Sequence, residues 1–453
     1  MDTPSPLTHG NIAKNYTLFI IPIILTGFLQ QFYNSADSMI VGNFAKNGAT
    51  ALAAVGSTAS LCGLIATFFT NLSVGTNVVC ARMCGANDHE GLDRAFHTSV
   101  LMGILFGIPL MLIGILGSRY LLELMGTPNN VIDKATLYMR LFFVGAPANL
   151  VYFFASATLR AVGDTKRPLY ILALSGIVNV ILNIICVVGF GLGVSGVAIG
   201  TVASQIVSAV LVLMVFSKGS HGLHFSFSKL KIHKKEFWEI LTIGVPAGFN
   251  GILFNLSNVF IQSAINSFGK TTMAAHSVAW NYMCFAFYFA NSGEQGVVCF
   301  VGQNMGAKKY ERIGKIVKTA IAVTSFLTVI FSAIVVVFGK PLLSVFTTDK
   351  EVVSIGMVQI YSAISIYVLY VPGIIFGGAL RGMGKSTLPT LINILGICAV
   401  RIGWISFVWP LNPTLEMVYY SFPVTWIASG LPMLVMYIIV KRKLMKKAHA
   451  QQI

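Results

Sequence analysis

The sequence predicts an all-helical membrane protein with twelve transmembrane helices in two similar six-helix lobes. Three observations support this fold class. Only 10% of the 453 residues are charged and 55% are hydrophobic, whereas roughly 25% of residues are charged in typical soluble domains. The apolar residues fall in blocks near the roughly 20 residues that span a bilayer as a helix. A five-residue motif also recurs after 221 residues, which indicates that the chain is an internal duplication of one unit.

The repeat is recognised by glycine-containing motifs. Leu159-Arg160-Ala161-Val162-Gly163 returns as Leu380-Arg381-Gly382-Met383-Gly384, and Met83-Cys84-Gly85-Ala86 aligns with Asn304-Met305-Gly306-Ala307 at the same separation. The glycines of the second pair stand where a span is expected to leave the membrane, and basic residues follow in both copies. A duplicated half in so apolar a chain is typical of secondary transporters.

Twelve apolar segments are predicted to be spans. They cover residues 17–44, 51–78, 97–118, 134–157, 168–190, 195–217, 238–266, 274–301, 316–338, 354–378, 388–409 and 416–440. The predicted domains are an N-lobe of residues 1–217, a cytoplasmic linker of residues 218–237, and a C-lobe of residues 238–453 that includes a basic tail. Because six is even, both lobes enter from the same side, so parallel repeats around a central cleft are expected.

The net charge of +16 is interpreted as a signal of topology. When basic residues near a span end are counted with the nearer side, 23 of the 31 Lys and Arg residues lie on the side that holds both termini and 7 on the other side, and Arg401 lies deep inside a span. The positive-inside rule then predicts cytoplasmic termini in a multi-pass protein of the plasma (inner) membrane. No nucleic-acid partner is expected; membrane lipids are expected around a monomer. No cleavable signal peptide is predicted, because the first span is too long for one.

No enzymatic or metal centre is predicted. The seven cysteines are scattered, and the pair His221 and His224 lies in the polar interval, where a solvated linker explains it better than a metal site. Gly384-Lys385-Ser386 imitates the end of a phosphate-binding loop, but Ala379 stands where that loop needs its first glycine. No cofactor is expected. Without a nucleotide-binding domain, the expected energy source is a gradient of H⁺ or Na⁺.

Of the fifteen acidic residues, only Asp37 and Glu294 lie more than two residues inside a predicted span. An ionisable group in the membrane costs at least roughly 2.5 to 3.5 kcal/mol, which marks it as a functional hypothesis. Asp37 is expected about 10 Å below the outer surface. Asn183 and Thr201 reach a similar depth, and Asn179 lies one turn deeper on the face of Asn183. This level suits a proton or a sodium ion, with Asp37 as a possible sodium ligand; the alternative is a structural hydrogen bond between helices.

The other intramembrane charges are open to two interpretations each. Glu294 is either a second coupling or substrate-cation site, or a carboxylate that is solvated from the inside. Arg401 is expected to neutralise a carboxylate or to bind carbonyls at a helix end. Under the repeat, Asp37 aligns with Asn258 and Glu294 aligns with Ser73, so the two lobes differ in charge.

The spans, the two halves and the paired motifs resemble the multidrug and toxic compound extrusion (MATE) transporters over essentially the whole chain. The segment from Gln30 to Gly42 looks like the first helix of that family, whose aspartate takes part in cation coupling. The resemblance is closest to the prokaryotic branch named for its DNA-damage-inducible member. It implies cation coupling at Asp37, Asn179, Asn183 and Thr201, and a substrate cavity near Gln30, Tyr33 and Asn34.

The function implied by the resemblance is cation-coupled antiport that exports organic cations, drugs or toxic metabolites by alternating access. The 32 Phe and 17 Met residues are compatible with an adaptable cavity for lipophilic cations, although packing explains most of them. Two alternatives remain open at this point. A flippase for a lipid-linked saccharide would be expected to line its cavity with several Arg or Lys residues, and a channel or sensor would not couple export to a gradient.

Overall fold

Long helices carry almost all of the described chain. The structure, a computed structural model, describes residues 5–44 and 48–450. Twelve long helices, some interrupted by short π or 3-10 segments, occur in these ranges, and a short helix, Gly339–Ser344, precedes the tenth. They are α1 Ile12–Phe44, α2 Gly48–Gly85, α3 His89–Leu124, α4 Asn129–Val144 with Ala146–Ala161, α5 Lys166–Gly189, α6 Val194–Ser217, α7 Lys234–Asn266, α8 Lys270–Gly306, α9 Tyr310–Val337, α10 Lys350–Gly382, α11 Thr387–Leu411 and α12 Leu415–Ala450. No β-strand forms in these ranges, and the predicted all-helical fold class is confirmed.

Most of these helices are long and apolar enough to cross a membrane. Within the described residues, ten qualify singly, and the two parts of α4 qualify as a pair bent by 46°. The remaining helix, α8, has 37 residues, which is about twice the length that a bilayer requires. It is less apolar because it buries polar side chains, among them His276, Gln303 and Asn304. The twelve predicted spans therefore correspond to twelve helices.

Helix α4 is broken at Gly145, just before Pro147. Proline has no N–H to donate to the preceding turn, so a helix that reaches it bends or restarts. The same proline packs closely on α3, since a Cβ on Gly107 would lie 2.4 Å from the Cα of Pro147. Pro109, by contrast, lies within the continuous helix α3.

Contacts divide the described chain into two compact units. Unit 1 comprises Leu25–Gly248, and unit 2 comprises Ser5–Ile24 with the described chain from Phe249 onward. Helices α1 and α7 therefore contribute to both units, and each changes unit close to an internal proline, Pro22 or Pro246. The predicted lobes follow the sequence repeat and divide at the linker instead, and that division remains a prediction.

In unit 1, the linker is anchored by ionic contacts. Arg94 of α3 donates from Nε to Glu236 Oε1 at 3.0 Å, and the side chain of Glu236 is only 3% exposed. His221 Nε2 lies 3.3 Å from Asp164 Oδ2, so the partner of this histidine is a carboxylate. Across the described residues, no group of three or more His, Cys, Asp or Glu side chains is placed to hold a metal ion. The linker expected to be solvated is thus tied to unit 1 near its start and at its end.

In unit 2, the first described residues pack against α8. Tyr16 is fully buried, donates a hydrogen bond from Oη to the Gly293 carbonyl at 2.6 Å, and meets the Phe300 ring edge-on at 5.4 Å. Asn304 donates from Nδ2 to the Leu7 carbonyl at 3.0 Å. These contacts explain why the beginning of α1 belongs to unit 2.

Candidate functional site

A polar cluster in unit 1 is built around the carboxylate of Asp37. Asn183 of α5 donates from Nδ2 to Asp37 Oδ1 at 2.6 Å and to Asn179 Oδ1 at 3.2 Å. Asn183 is 0% exposed and Asn179 is 5% exposed, whereas Asp37 remains partly accessible. The structure therefore brings together three of the four residues that the sequence assigns to one level of the first lobe.

The buried amide of Asn183 leaves an oxygen available in this cluster. Its Oδ1 has no hydrogen-bond partner among the described residues. A buried polar atom without a partner costs roughly 1 to 3 kcal/mol, so such atoms tend to mark sites where an ion, water or ligand binds. Together with Asp37 and Asn179 Oδ1, this oxygen forms a donor set for a proton or a hard cation, which prefers oxygen ligands.

Thr201, the fourth predicted residue, uses its hydroxyl within its own helix. Its Oγ1 donates to the Val197 carbonyl at 2.9 Å. The preceding residue, Gly200, brings α6 against the cluster instead, because a Cβ there would lie 2.1 Å from Asn183 Oδ1. The assignment of Thr201 to the coupling site stays a prediction, and Gly200 is a contact that the sequence reasoning missed.

Gly200→Ala is expected to lower the thermal stability of the protein. The added methyl group would displace Asn183 from its hydrogen bond with Asp37, and overpacking of this kind typically costs roughly 1 to 3 kcal/mol. The effect is measured as the melting temperature of purified protein in detergent. Gly117→Ala is the matched control, because a Cβ at Gly117 has nothing within 4 Å. Equal melting temperatures for the two variants would show that α6 does not constrain Asn183.

The predicted substrate-cavity residues of α1 have different surroundings. Tyr33 donates from Oη to the Ala173 carbonyl of α5 at 3.1 Å, and its ring lies on Gly176, where a Cβ would be 1.9 Å from Tyr33 Cζ. Gln30 and Asn34 are exposed. Tyr33 thus joins α1 to α5 as Asp37 does. The binding of substrate by these three residues remains a prediction.

In unit 2, Glu294 forms an ion pair with Arg381, the arginine of the repeated Leu-Arg-Gly motif. Both side chains are largely buried, at 14% and 7% exposure. Gly378 allows the close approach, because a Cβ at this position would lie 2.9 Å from Glu294 Cγ. Neither of the two interpretations drawn from the sequence includes this partner. The sequence features that could have identified this partner were an intramembrane carboxylate and a motif arginine expected at a helix end.

Arg401 is the largest fully buried side chain in the described structure. Its Nη1 donates to Asn258 Oδ1 at 2.6 Å and to Ser257 Oγ at 3.1 Å, and its Nη2 donates to Thr425 Oγ1 at 3.4 Å. No described carboxylate lies within ion-pair distance of Arg401, and its acceptors are side-chain oxygens. Both expectations for this arginine, a carboxylate partner and carbonyls at a helix end, are therefore corrected.

The chain matches a protein-family model described as MatE over residues 22–185 and 246–404. The matched segments include the parts of α1 and α11 that contain Asp37 and Arg401. It is similar to the "Probable multidrug resistance protein YoeA" of Bacillus subtilis (strain 168), at 29% identity over 428 residues, which are 92% of each chain. It is 23% identical over 384 residues to the "Multidrug export protein MepA" of Staphylococcus aureus (strain MSSA476), covering 85% of this chain and 84% of that protein.

Solved structures share this fold. The chain superposes with a TM-score of 0.90 on an outward-facing conformation of a multidrug resistance MATE family transporter of the MOP superfamily, at 20% identity and 98% coverage of both chains. It superposes with a TM-score of 0.89 on MATE in complex with MaD3S, at 20% identity, covering 98% of this chain and 100% of that chain. Because the family model matches more than half of the chain, the protein belongs to the MatE family of multidrug and toxic compound extrusion transporters, which are membrane proteins and not enzymes.

Proposed function

We propose that this transporter exports small lipophilic or cationic molecules, such as drugs or toxic metabolites, in exchange for a cation. The observation that carries the proposal is the contact between Asn183 and Asp37, beside the unpartnered Oδ1 of Asn183. A single carboxylate with amide oxygens suits one monovalent cation. The names of the relatives, multidrug resistance protein and multidrug export protein, support the class of substrate.

The proposed coupling acts through the hydrogen bond between Asp37 and Asn183. A proton or sodium ion that binds the carboxylate changes its hydrogen bond with Asn183, and so changes the contact between α1 and α5. A cation drives alternating access only if its affinity differs between the inward-facing and outward-facing states. Moving one charge across 100 mV yields about 2.3 kcal/mol, which would sustain roughly a 50-fold gradient of an uncharged substrate. One cation per cycle is therefore sufficient.

The remaining site assignments belong to the same proposal. Gln30, Tyr33 and Asn34 would contact substrate along α1, and Thr201 would supply a further oxygen near the cation. Glu294 is held by Arg381, which supports a structural more than a substrate-binding role. A flippase for a lipid-linked saccharide, the alternative function, has less support, because Arg381 and Arg401 are both engaged by side chains within unit 2.

Export from proteoliposomes under imposed gradients tests the function. Vesicles that contain the purified protein are loaded with a fluorescent organic cation, and either a sodium gradient or a pH gradient is applied. We expect export to accelerate under one of the two gradients and to stop when that gradient is collapsed by an ionophore. Export that is independent of both gradients, single-channel conductance, or scrambling of labelled lipid would contradict antiport.

We also propose a plasma-membrane monomer with both termini in the cytoplasm, in contact with anionic lipid. Unit 2 contains a cavity of about 870 Å³ whose apolar wall includes Phe376 and Tyr437. Its basic side chains come from the start of α9 and the last turns of α12 and are Lys318, Lys441, Arg442 and Lys446. Gly314 makes room for one of them, since a Cβ there would lie 2.4 Å from Lys441 Nζ. Apolar walls with a basic end fit the acyl chain and phosphate of an anionic phospholipid.

The double variant Lys441→Gln/Lys446→Gln is expected to weaken phosphatidylglycerol binding by roughly 10- to 30-fold, at about 1 kcal/mol for each lysine. Binding of phosphatidylcholine should be unchanged. The measurement is native mass spectrometry of the purified protein with each lipid. The control is Lys340→Gln/Lys350→Gln, which removes two exposed lysines outside the cavity. An equal loss in both double variants would indicate a general charge effect without a lipid site.

A further inference from the structure

The surroundings of Arg401 are those of a bound cation more than those of an ion-paired side chain. Three neutral side-chain oxygens, from Ser257, Asn258 and Thr425, accept hydrogen bonds from its guanidinium. The guanidinium carbon also lies 4.8 Å from the centroid of the Phe422 ring and 5.5 Å from that of Phe254. Neutral oxygens and aromatic faces are the groups with which proteins bind cations that lack a carboxylate partner.

The residues around the guanidinium of Arg401, which are Phe254, Ser257, Asn258, Phe422 and Thr425, form a cage. The positive charge inside this cage has no counter-charge within the part of the chain that the structure describes. Arg401 is 0% exposed and forms no ion pair there. Burial of a charge without a counter-charge is expensive, and proteins usually retain it only where it is hydrogen-bonded and serves a role. Replacement by a well-packed apolar residue is often neutral or stabilising. A requirement for packing alone therefore does not explain why a cation stands here.

The sequence repeat relates this cage to the Asp37 cluster. Asn258 is the counterpart of Asp37, 221 residues later. In unit 1, Asp37 of α1 contacts Asn183 of α5; in unit 2, Asn258 of α7 contacts Arg401 of α11. The helices correspond in order, since α7 and α11 are the first and fifth helices of the second half. The same helix pair is thus joined through the same position of its first helix in both halves.

The two clusters have complementary charges. Among the residues that the structure describes, the cluster in unit 1 contains a carboxylate and no basic side chain in contact with it, so it needs a cation to be neutral. The corresponding position in unit 2 is an amide, and the cation is part of the chain. A second mobile cation at Asn258 would meet the fixed charge of Arg401 at hydrogen-bond distance, where like charges repel strongly.

We infer that Arg401 is a tethered cation, which permanently occupies the counterpart in unit 2 of the exchangeable cation site at Asp37. The chain then couples through one half only, although both halves retain the same helix contact. The count of one exchangeable cation per cycle rests on the proposed function. The cation site around Arg401 does not, because it is defined by the contacts within unit 2.

The inference is tested by replacing the tethered cation with a free one. Arg401→Ala removes the atoms of ethylguanidinium and leaves the oxygens of Ser257, Asn258 and Thr425 in place. Ethylguanidinium chloride at millimolar concentration is expected to raise the melting temperature of Arg401→Ala by roughly 2 to 4 °C in a saturable manner. Ethylurea, which is uncharged and of nearly the same shape, is expected to have no effect, and neither compound should shift the wild-type protein.

Two results with the folded variant would overturn the inference. Equal stabilisation by ethylurea and ethylguanidinium would show that the cage needs volume and hydrogen bonds but no charge, which overturns the inference. The absence of any saturable shift would overturn it as well. If Arg401→Ala does not fold without a ligand, the same comparison is made during purification: recovery of monodisperse protein with ethylguanidinium alone supports the inference, and recovery with both compounds or with neither contradicts it.

A second measurement separates this inference from the proposed function. The rescue is repeated in Asp37→Asn/Arg401→Ala, where it should persist unchanged, whatever that variant does in transport. The coupling ratio of the wild-type protein should be one cation per substrate, obtained from the cation gradient that just balances a fixed substrate gradient in proteoliposomes held at zero membrane potential. A ratio of two that falls to one in Asp37→Asn would reveal a second exchangeable cation and would overturn permanent occupation by Arg401.

Discussion

Replacing Asp37 by asparagine is expected to abolish gradient-driven export while the protein remains folded. The oxygen of the new amide can still accept the hydrogen bond from Asn183, which Asp37 accepts at 2.6 Å. The charge that binds the coupling cation is lost, so movement of the cation down its gradient no longer drives export of the substrate. One-for-one exchange against a roughly 50-fold cation gradient sustains an equal substrate gradient, so the accumulation ratio should fall from roughly 50-fold to about one, the value for passive equilibration without a membrane potential. The measurement is substrate accumulation in proteoliposomes whose transporters have the cytoplasmic side facing outward, with an imposed sodium or pH gradient.

The matched control is Asp133→Asn, which makes the same chemical change at a carboxylate that is 78% exposed and paired with Arg119. Exposed pairs of this kind contribute about 0 to 1 kcal/mol, so neither export nor melting temperature should change appreciably. Full gradient-driven accumulation by Asp37→Asn would remove Asp37 from the coupling mechanism. Equal losses in both variants would point to folding or insertion in place of coupling.

The sequence predicted the helices well because each span is a local property of composition and length. Prolines in apolar stretches, Pro147 among them, indicated bent or broken helices, but the sequence did not reveal which of them break a helix, nor that α8 owes its polarity to buried side chains such as Gln303 and Asn304. Those features depend on what each helix packs against. The same holds for the changes of unit near Pro22 and Pro246, since the repeat fixes the order of helices but not their partners.

For the site, the depth expected from the sequence identified neighbouring residues, but it did not predict the direction in which each side chain points. Asp37, Asn179 and Asn183 were predicted at neighbouring levels and are joined by hydrogen bonds. Thr201 follows Gly200, which lies against Asn183, yet its hydroxyl bonds to its own helix. The partner of Glu294 was missed because residues 294 and 381 meet only through the packing of α8 on α10, which no spacing along the sequence encodes.

Glu294→Gln is expected to destabilise unit 2 more than any substitution of a surface charge. The change leaves the guanidinium of Arg381, which is only 7% exposed, without its carboxylate. Removal of one partner from a buried ion pair typically costs roughly 3 to 5 kcal/mol, because the remaining charge stays desolvated. The free energy of unfolding in mixed detergent micelles measures the loss. Glu123→Gln is the control, since the exposed pair of Glu123 with Arg119 should contribute at most about 1 kcal/mol.

A double variant distinguishes a structural role of Glu294 from substrate binding. Glu294→Gln/Arg381→Met removes both charges, and because a buried pair can be replaced by neutral groups at little cost, most of the lost stability should return. If Glu294 only balances Arg381, export should recover together with stability. If Glu294 binds a cationic substrate, stability should recover while the affinity for that substrate stays reduced. A single variant as stable as the wild-type protein would mean that Arg381 is solvated from the aqueous side and that the ion pair does not hold α8 against α10.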